Sequence, residues 1–295
     1  MSLVHLNLQP AMPQRVVVIG AGGFVGGAIA AELTALDVPL LALGRSDVDL
    51  CAFGAGEQLA SMLWADDSVV AAAAIAPVKN MEMFESNARL VRNLVRAFEL
   101  RPVAHLLNIG SDAIYADSLA PLTENSATGP DNLHGIMHLF RDVALRNLAT
   151  IHYASLRPTL IYGRRDPHNG YGPNRFRRLA NAGEKIVLFG NGEERRDHVL
   201  VDDVADLAVR ILMNRSIGVL NAATGQVASF REIAEKIVAM SSGKSTIVSI
   251  PRQGPMPHAG YRPFDSASVA AAFPDFKFTP LDAGLARVQP ETGEG

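Results

Sequence analysis

Two histidines four residues apart, in His134-Gly-Ile-Met-His138, are the side chains in this chain best suited to moving a proton. The i, i+4 spacing sets both rings on one face of a helix. Imidazole titrates near neutrality, so it takes or gives a proton without a neighbour to tune it. Ser111, at the end of the apolar run 103–109, offers a hydroxyl upstream of them. Further upstream stands Arg15-Val-Val-Val-Ile-Gly-Ala-Gly-Gly-Phe-Val-Gly26, with glycines at 20, 23 and 26 behind four apolar residues. Gly20 suits a tight turn, Gly23 lets backbone approach a phosphate, and Gly26 lets helix and strand pack closely. Phe24 and Val25 belong to the same turn. The helix that follows would offer unpaired N–H groups and its positive dipole end to a pyrophosphate. The alternative is a glycine-rich turn with no ligand.

A glycine motif carries weight only between a strand and a helix, and the flanking residues predict both. Residues 39–44 read as a second strand, ending in Gly44-Arg45-Ser46. An acid at that tip would bind the ribose 2′-OH of NAD, whereas an arginine suits the 2′-phosphate of NADP. Arg45 and Ser46 therefore favour NADP over NAD; a solvated loop charge is the plain alternative for Arg45. Asp49 either contacts the adenine or caps the next helix. Residues 68–76 form a third strand and an alanine-rich loop, in which Ala74 leaves room for a ligand. Residues 80–100 show helical periodicity, with Asn87 either a buried structural residue or a contact to the cofactor loop. Residues 103–109 make another strand. The alternation predicts a Rossmann-type doubly wound parallel sheet, with ligands at the carboxyl ends of its strands.

The 295 residues suffice for one large or two modest domains, and 48% hydrophobic with 19% charged residues fits an enzyme-like globular chain. A net charge of −3 makes no case for nucleic acid or a membrane surface. No apolar run reaches the roughly 18 residues of a membrane span. Residues 1–14 lack a basic region followed by an apolar core, so no signal peptide is expected, and the Met-Ser-Leu start is left out of the fold reading. The lone Cys51 excludes an internal disulfide and suits a reducing compartment, the cytoplasm.

In the second half, residues 151–156 read as the sixth strand, ended by Pro158. Pro173 suits the first turn of a helix, 186–189 a short strand, 202–213 a helix and 219–221 a strand. Ser229-Phe-Arg-Glu232 is a capping box opening a helix through Met240, and 246–250 is a further strand. Arg175, Arg177, Arg178, Arg195 and Arg196 cluster here as donors for a diphosphate or as partners of Glu193, Glu194 and Asp197.

These motifs together resemble the extended short-chain dehydrogenase/reductase family, in particular its NAD(P)-dependent epimerase/dehydratase group. The resemblance rests on the glycine motif, Ser111-Asp-Ala-Ile-Tyr-Ala116, Leu156-Arg-Pro-Thr-Leu-Ile-Tyr-Gly163 and the stretch from Gly190 through Arg196-Asp197 to Ala205. It implies a dinucleotide-binding part over 13–160 with interleaved later segments, and a small C-terminal α/β substrate lobe mainly over 161–290. It also implies hydride transfer on a nucleotide-activated sugar, with Ser111 at the reacting oxygen, Pro158 beside the cofactor, and Asn174 and Arg196 towards the substrate. A homodimer through the 80–100 helix and the helix bearing His134 is implied as well.

One departure matters. The family's catalytic Tyr-x-x-x-Lys is absent, and His134 and His138 stand in its place. Three readings follow. His134 is the acid/base and His138 takes the ribose; or the cofactor binds without chemistry, as in a sensor or regulator; or the pair binds a metal, for which no third ligand is evident. The first is the main expectation, with no metal. Tyr115 and Asp112 are alternative bases, although Tyr115 reads better as packing. Leu160, where many sugar epimerases carry asparagine, leaves the substrate open.

Overall fold

The computed structural model describes residues 2–241 and 245–289. The first half runs β1 (Val16–Ile19), α1 (Phe24–Ala35), β2 (Leu40–Leu43), α2 (Ala55–Met62), β3 (Ser68–Ala71), α3 (Met81–Leu100), β4 (His105–Ile109), α4 (Leu133–Arg146) and β5 (His152–Pro158). Next come β6 (Leu160–Tyr162), α5 (Pro173–Asn181), β7 (Ile186–Phe189), β8 (Arg195–Leu200), α6 (Val201–Met213) and β9 (Gly218–Ala222). The chain closes with β10 (Val227–Ser229), α7 (Phe230–Met240), β11 (Ile247–Ile250), β12 (Tyr261–Arg262), α8 (Ala267–Ala272) and α9 (Leu281–Arg287).

Six parallel strands form the central sheet in the order β2-β1-β3-β4-β5-β9. The chain leaves β1 towards β2 and returns to the other side at β3, so the topological switch lies between β1 and β3, next to the glycine turn. Alternate residues enter opposite cores. Val16 and Val18 pack with α1 and α6, while Val17 and Ile19 pack with α2 and α3. Burial on both faces explains why β1 is an uninterrupted apolar run. Beyond this sheet, β8 pairs with β6, β10 and β12, β7 pairs with β11, and a separate core gathers Phe176, Leu188, Phe230 and Ile237. No described helix is long and apolar enough to cross a membrane.

Several expectations need correction. The strand at 152–158 is the fifth, and Pro158 does not end its ladder early: it registers with Ala222, and the N–H of Thr159 donates to Ala222 O at 3.2 Å. A proline is tolerated there because the next residue supplies the donor. Asp49 does not cap α2; Gly54 does, at φ +76, while the Asp49 carboxylate accepts from the Cys51 N–H. The N-terminal segment is ordered against the sheet. Val4 and Ile217 exchange backbone hydrogen bonds at 2.9 and 2.8 Å, and the His5 ring bonds Ser216 and Ala272. This segment covers the β9 edge, which would otherwise expose unpaired peptide groups. The predicted capping box is present at Ser229 and Glu232.

Two buried histidines make stability depend on pH. Burial outweighs the bonds from His105 to Ser216 O and from His198 to Arg196 O, pulling each imidazole down to about 4. A folded-state value below the unfolded one contributes stability above pH 6.5 that is lost as pH falls towards 4, at up to about 1.4 kcal/mol per pH unit for each histidine. Asp197 and Asp203, raised by burial, act in the opposite sense as pH falls. The melting temperature is therefore expected to drop by several degrees between pH 7.5 and 5. A circular-dichroism melt that is flat or rises over that interval would contradict it.

Candidate active site

The cradle begins at the glycine turn. Gly20 has φ +93, and a Cβ there would stand 2.6 Å from Ala73 N. A Cβ on Gly26 would stand 2.2 Å from Gly20 O. Both positions are closed to any other residue, so the turn lies flat against the β3 end and α1 starts directly behind it. Gly23 is the N-cap of α1, with no side-chain cap and no acid in the first turn. The helix start is thus left with N–H donors and no competing carboxylate, which suits a phosphate.

From this turn a cleft of about 850 Å³ runs along the carboxyl ends of the strands. Gly20, Gly23, Phe24, Val25 and Gly26 line its floor. Arg45 and Asp49 line one end, Ala74 and Pro158 the middle, and Ser111, His134 and His138 the inner wall. Asn174 and Arg196 line the far side. One cavity therefore gathers most of the residues singled out from sequence.

Two do not line it. Ser46 is exposed and lies off the cleft wall. Asn87 is 1% exposed and sits behind the wall. Its Oδ1 accepts from Ile75 N at 3.0 Å, and its Nδ2 donates to Ile75 O and Met83 O. Asn87 thus fixes the 72–77 loop and would touch no ligand directly. Both expectations for it hold a part: it is buried, and it grips the loop.

The catalytic wall is built by close approach. Asn132 caps α4 by accepting from Gly135 N at 3.0 Å. A Cβ on Gly135 would meet Ala113 O at 2.2 Å, so this glycine lets His134 approach the turn that carries Ser111. Ser111 Oγ accepts from Ala113 N at 3.1 Å and caps that turn. His134 Nδ1 accepts from Val78 N at 3.5 Å. The two histidine rings meet edge to face, with centroids 4.7 Å apart. His134 is held below the usual imidazole value by burial, against an upward pull from Asp112. His138 is pushed well below it by burial, then by His134 and Arg141, and its Nδ1 is buried without a partner. Both rings are therefore neutral at neutral pH. Among the described residues no group of three or more His, Cys, Asp or Glu side chains is placed to hold a metal.

Tyr115 is a packing residue: its hydroxyl donates to Asn221 Oδ1 at 2.7 Å and accepts from Arg157 at 2.9 Å. Asp112 lines the cleft and is bound by Arg262 at 3.2 Å. On the far side, Arg196 Nε donates to Glu194 at 2.8 Å, and Arg252 reaches the same carboxylate at 3.4 Å. Glu194 thus bridges the two arginines, and Asp117 and Glu193 also lie within reach of their charge. Asp197 takes no part in the cleft: it accepts from Thr159, from Thr224 and from Gly225 N, tying β8 to the loop after β9. Asn174 faces the cleft, but its amide is committed to Gly163 N and Asp166, so it shapes the 163–172 loop. Arg177 and Arg178 are likewise committed to backbone carbonyls, which excludes them as diphosphate donors in this arrangement.

Sequence reasoning missed His168, His198 and His258, which also line the cleft. They come from loops and from β8, and no local pattern announces them. Gly135 did leave a signal, since a glycine inside a helix needs a packing reason.

The fold is shared with solved sugar-modifying enzymes. The UDP-glucose 4-epimerase of Thermotoga maritima superposes with a TM-score of 0.81 at 20% identity, covering 92% of this chain and 96% of that one. A GDP-L-fucose synthetase from Naegleria fowleri, solved with NADP, gives 0.78 at 17% identity, covering 98% and 96%. In sequence, the chain is similar to the dTDP-4-dehydro-6-deoxy-D-allose reductase of Streptomyces bikiniensis, at 26% identity over 273 residues, covering 77% of this chain and 81% of the relative. Residues 16–223, from β1 to the end of the central sheet, match the NAD dependent epimerase/dehydratase family, and the chain belongs to that family.

Proposed function

We propose that this chain binds a nicotinamide dinucleotide in the cleft and interconverts a hydroxyl and a keto group on a nucleotide-activated sugar. The observation that carries this reading is the single cleft running from the glycine turn, past Ser111 and His134, to Arg196. Gly20, Gly23, Phe24, Val25, Gly26, Ala74 and Pro158 would hold the dinucleotide, with His138 at its nicotinamide ribose and Arg45 and Asp49 at its adenosine end. When bound, that group supplies the site that accepts or donates hydride.

The chain's own residues handle the proton. Ser111 steadies the reacting oxygen by hydrogen bonding. His134 takes the proton as a hydroxyl becomes a ketone and returns it in the reverse direction. Arg196, on the cleft wall, would offer its guanidinium to a diphosphate.

Arg45 favours a reductase using NADPH. Its side chain is 78% exposed, and its pair with Asp49 at 3.2 Å is a surface contact of little strength. The guanidinium is free to turn to a 2′-phosphate. The test is calorimetric titration with NADP⁺ and NAD⁺, wild type beside Arg45→Ala. NADP⁺ is expected to bind more tightly, and the variant to lose about tenfold for NADP⁺ and little for NAD⁺. Equal losses for both would remove the NADP preference, and no binding of either nucleotide would overturn the proposal. A panel of nucleotide sugars then identifies the substrate.

A second reading, a dinucleotide-binding sensor without chemistry, draws on one feature: His138 is neutral and cannot act as a fixed cation.

A further inference from the structure

His258 lines the cleft from the segment just ahead of β12. It and Ala259 both lie in the left-handed region, at φ +53, ψ +36 and φ +49, ψ +24, and Gly260 follows at φ +82. A Cβ makes this backbone unfavourable, and such residues persist where the surroundings over-determine them, as at ligand sites. Glycine at position 258 would make the same turn without strain. The histidine side chain therefore calls for its own explanation.

Holding the segment in place does not supply one, because Arg262 already does so. This guanidinium is 2% exposed; its Nη2 donates to Asp112 O at 2.8 Å and Tyr115 O at 3.2 Å. Its Nε and Nη1 reach the carboxylates of Asp112 at 3.2 Å and Asp117 at 2.9 Å. The segment is thereby fastened to the turn that follows Ser111. On its other side, Arg262 is the register partner of Arg196 in the pairing of β12 with β8. His258 Nδ1 lies 3.0 Å from the same guanidinium. The ring is thus set between the Ser111 turn and the arginine on the far side of the cleft.

Its polarity follows from its partners. Nδ1 is bonded to the Asp117 carboxylate, which only accepts, so Nδ1 carries the hydrogen of the neutral ring. The Arg262 Nη1 beside it is served by Asp117 as well. Nε2 is then the lone-pair nitrogen, and among the described residues no protein group bonds it. The charged groups facing the ring are Asp117, Arg262 and Arg196. Burial, then Arg196, outweighs Asp117 and keeps the ring neutral at neutral pH.

We propose that His258, oriented by Asp117, is a specificity-determining residue of this cleft: its Nε2 accepts a hydrogen bond from a hydroxyl of the sugar held between Ser111 and Arg196. The inference rests on the nucleotide-sugar reading above and adds the group that reads the sugar. A site built to bond a hydroxyl rejects the analogue that lacks it, because its own polar group is then left unpaired.

The experiment is calorimetry on full-length protein saturated with dinucleotide. UDP-glucose, dTDP-glucose and GDP-mannose are each titrated beside the matching nucleoside diphosphate. For a sugar that wild type binds, His258→Phe, which keeps a ring and drops both nitrogens, is expected to lose about tenfold in affinity for the nucleotide sugar and under about twofold for the diphosphate. His258→Gly relaxes the backbone. It should show the same selective loss and melt no lower than wild type, whereas a merely structural ring would lower the melting temperature and leave the selectivity alone. Should His258→Phe not fold, His258→Gly decides by the same pair of affinities. Nucleotide-sugar affinity within twofold of wild type, or an equal loss for sugar and diphosphate, overturns the proposal alone. Wild type that binds dinucleotide and none of the three nucleotide sugars overturns the nucleotide-sugar reading, and this contact with it.

Discussion

His134→Phe is expected to lower turnover by about 10²- to 10⁴-fold while leaving dinucleotide affinity within a few fold of wild type. Phenylalanine fills the ring's volume, so the cleft wall and the approach at Gly135 survive. What disappears is the only imidazole of the pair that is both on the cleft wall and hydrogen-bonded into place, by Val78. The pH profile supplies a second readout. Burial holds His134 below 6.5, so the neutral base dominates at pH 7. Oxidation of a sugar hydroxyl needs that base, and its rate should stay level through neutrality and fall only in acid. Reduction needs the imidazolium, and its rate should rise as pH falls from 8 towards 6. Steady-state assays following NAD(P)H absorbance in both directions test this. Turnover of His134→Phe within threefold of wild type would remove His134 from the mechanism. Loss of binding along with turnover would make it structural. If wild type binds dinucleotide but turns over no sugar in the panel, the sensor reading takes over.

The second large effect is at Gly26. Its added methyl would lie 2.2 Å from Gly20 O, and both partners are backbone, so neither can swing away. Gly26→Ala must push α1 off the glycine turn and misalign the N–H groups of its first turn. The expected outcome is a loss of at least about 100-fold in dinucleotide affinity, with about 1–3 kcal/mol of stability lost to overpacking. Gly22 offers the internal comparison: a Cβ there meets nothing within 4 Å. Gly22→Ala should therefore melt with wild type. Calorimetry and thermal melts on the two variants decide it. Unchanged affinity in Gly26→Ala would mean that the turn is not the phosphate cradle.

Much of this architecture was legible before any coordinates, because it follows from local rules. Four apolar residues ahead of Gly20 mark a strand buried on both faces. Glycines at 20, 23 and 26 mark a turn where side chains have no room. The 3.6-residue period over 81–100, the Pro173 start of α5 and the Ser229 capping box each depend on residues within one or two turns of chain. The candidate catalytic residues were legible for the same reason: four residues of separation set His134 and His138 on one helix face.

What needed the tertiary structure was everything decided across the sheet. Chain order does not reveal that β8 pairs with three strands from distant segments, so the region around Arg196 could be matched to a motif but not built. It does not show which arginines are already spent, as Arg177 and Arg178 are on carbonyls. Asn87 stands behind the cleft wall and Asn174 on it, and both amides are spent on backbone and neighbouring side chains, because a side-chain amide serves whichever group folding brings to it. Local spacing determined the strand, glycine turn and helix that open the cleft, and that His134 and His138 share one helix face. Their charge state was decided only by folding. A pKa depends on how much water and which charges surround a group, and those neighbours are gathered from segments far apart in the chain.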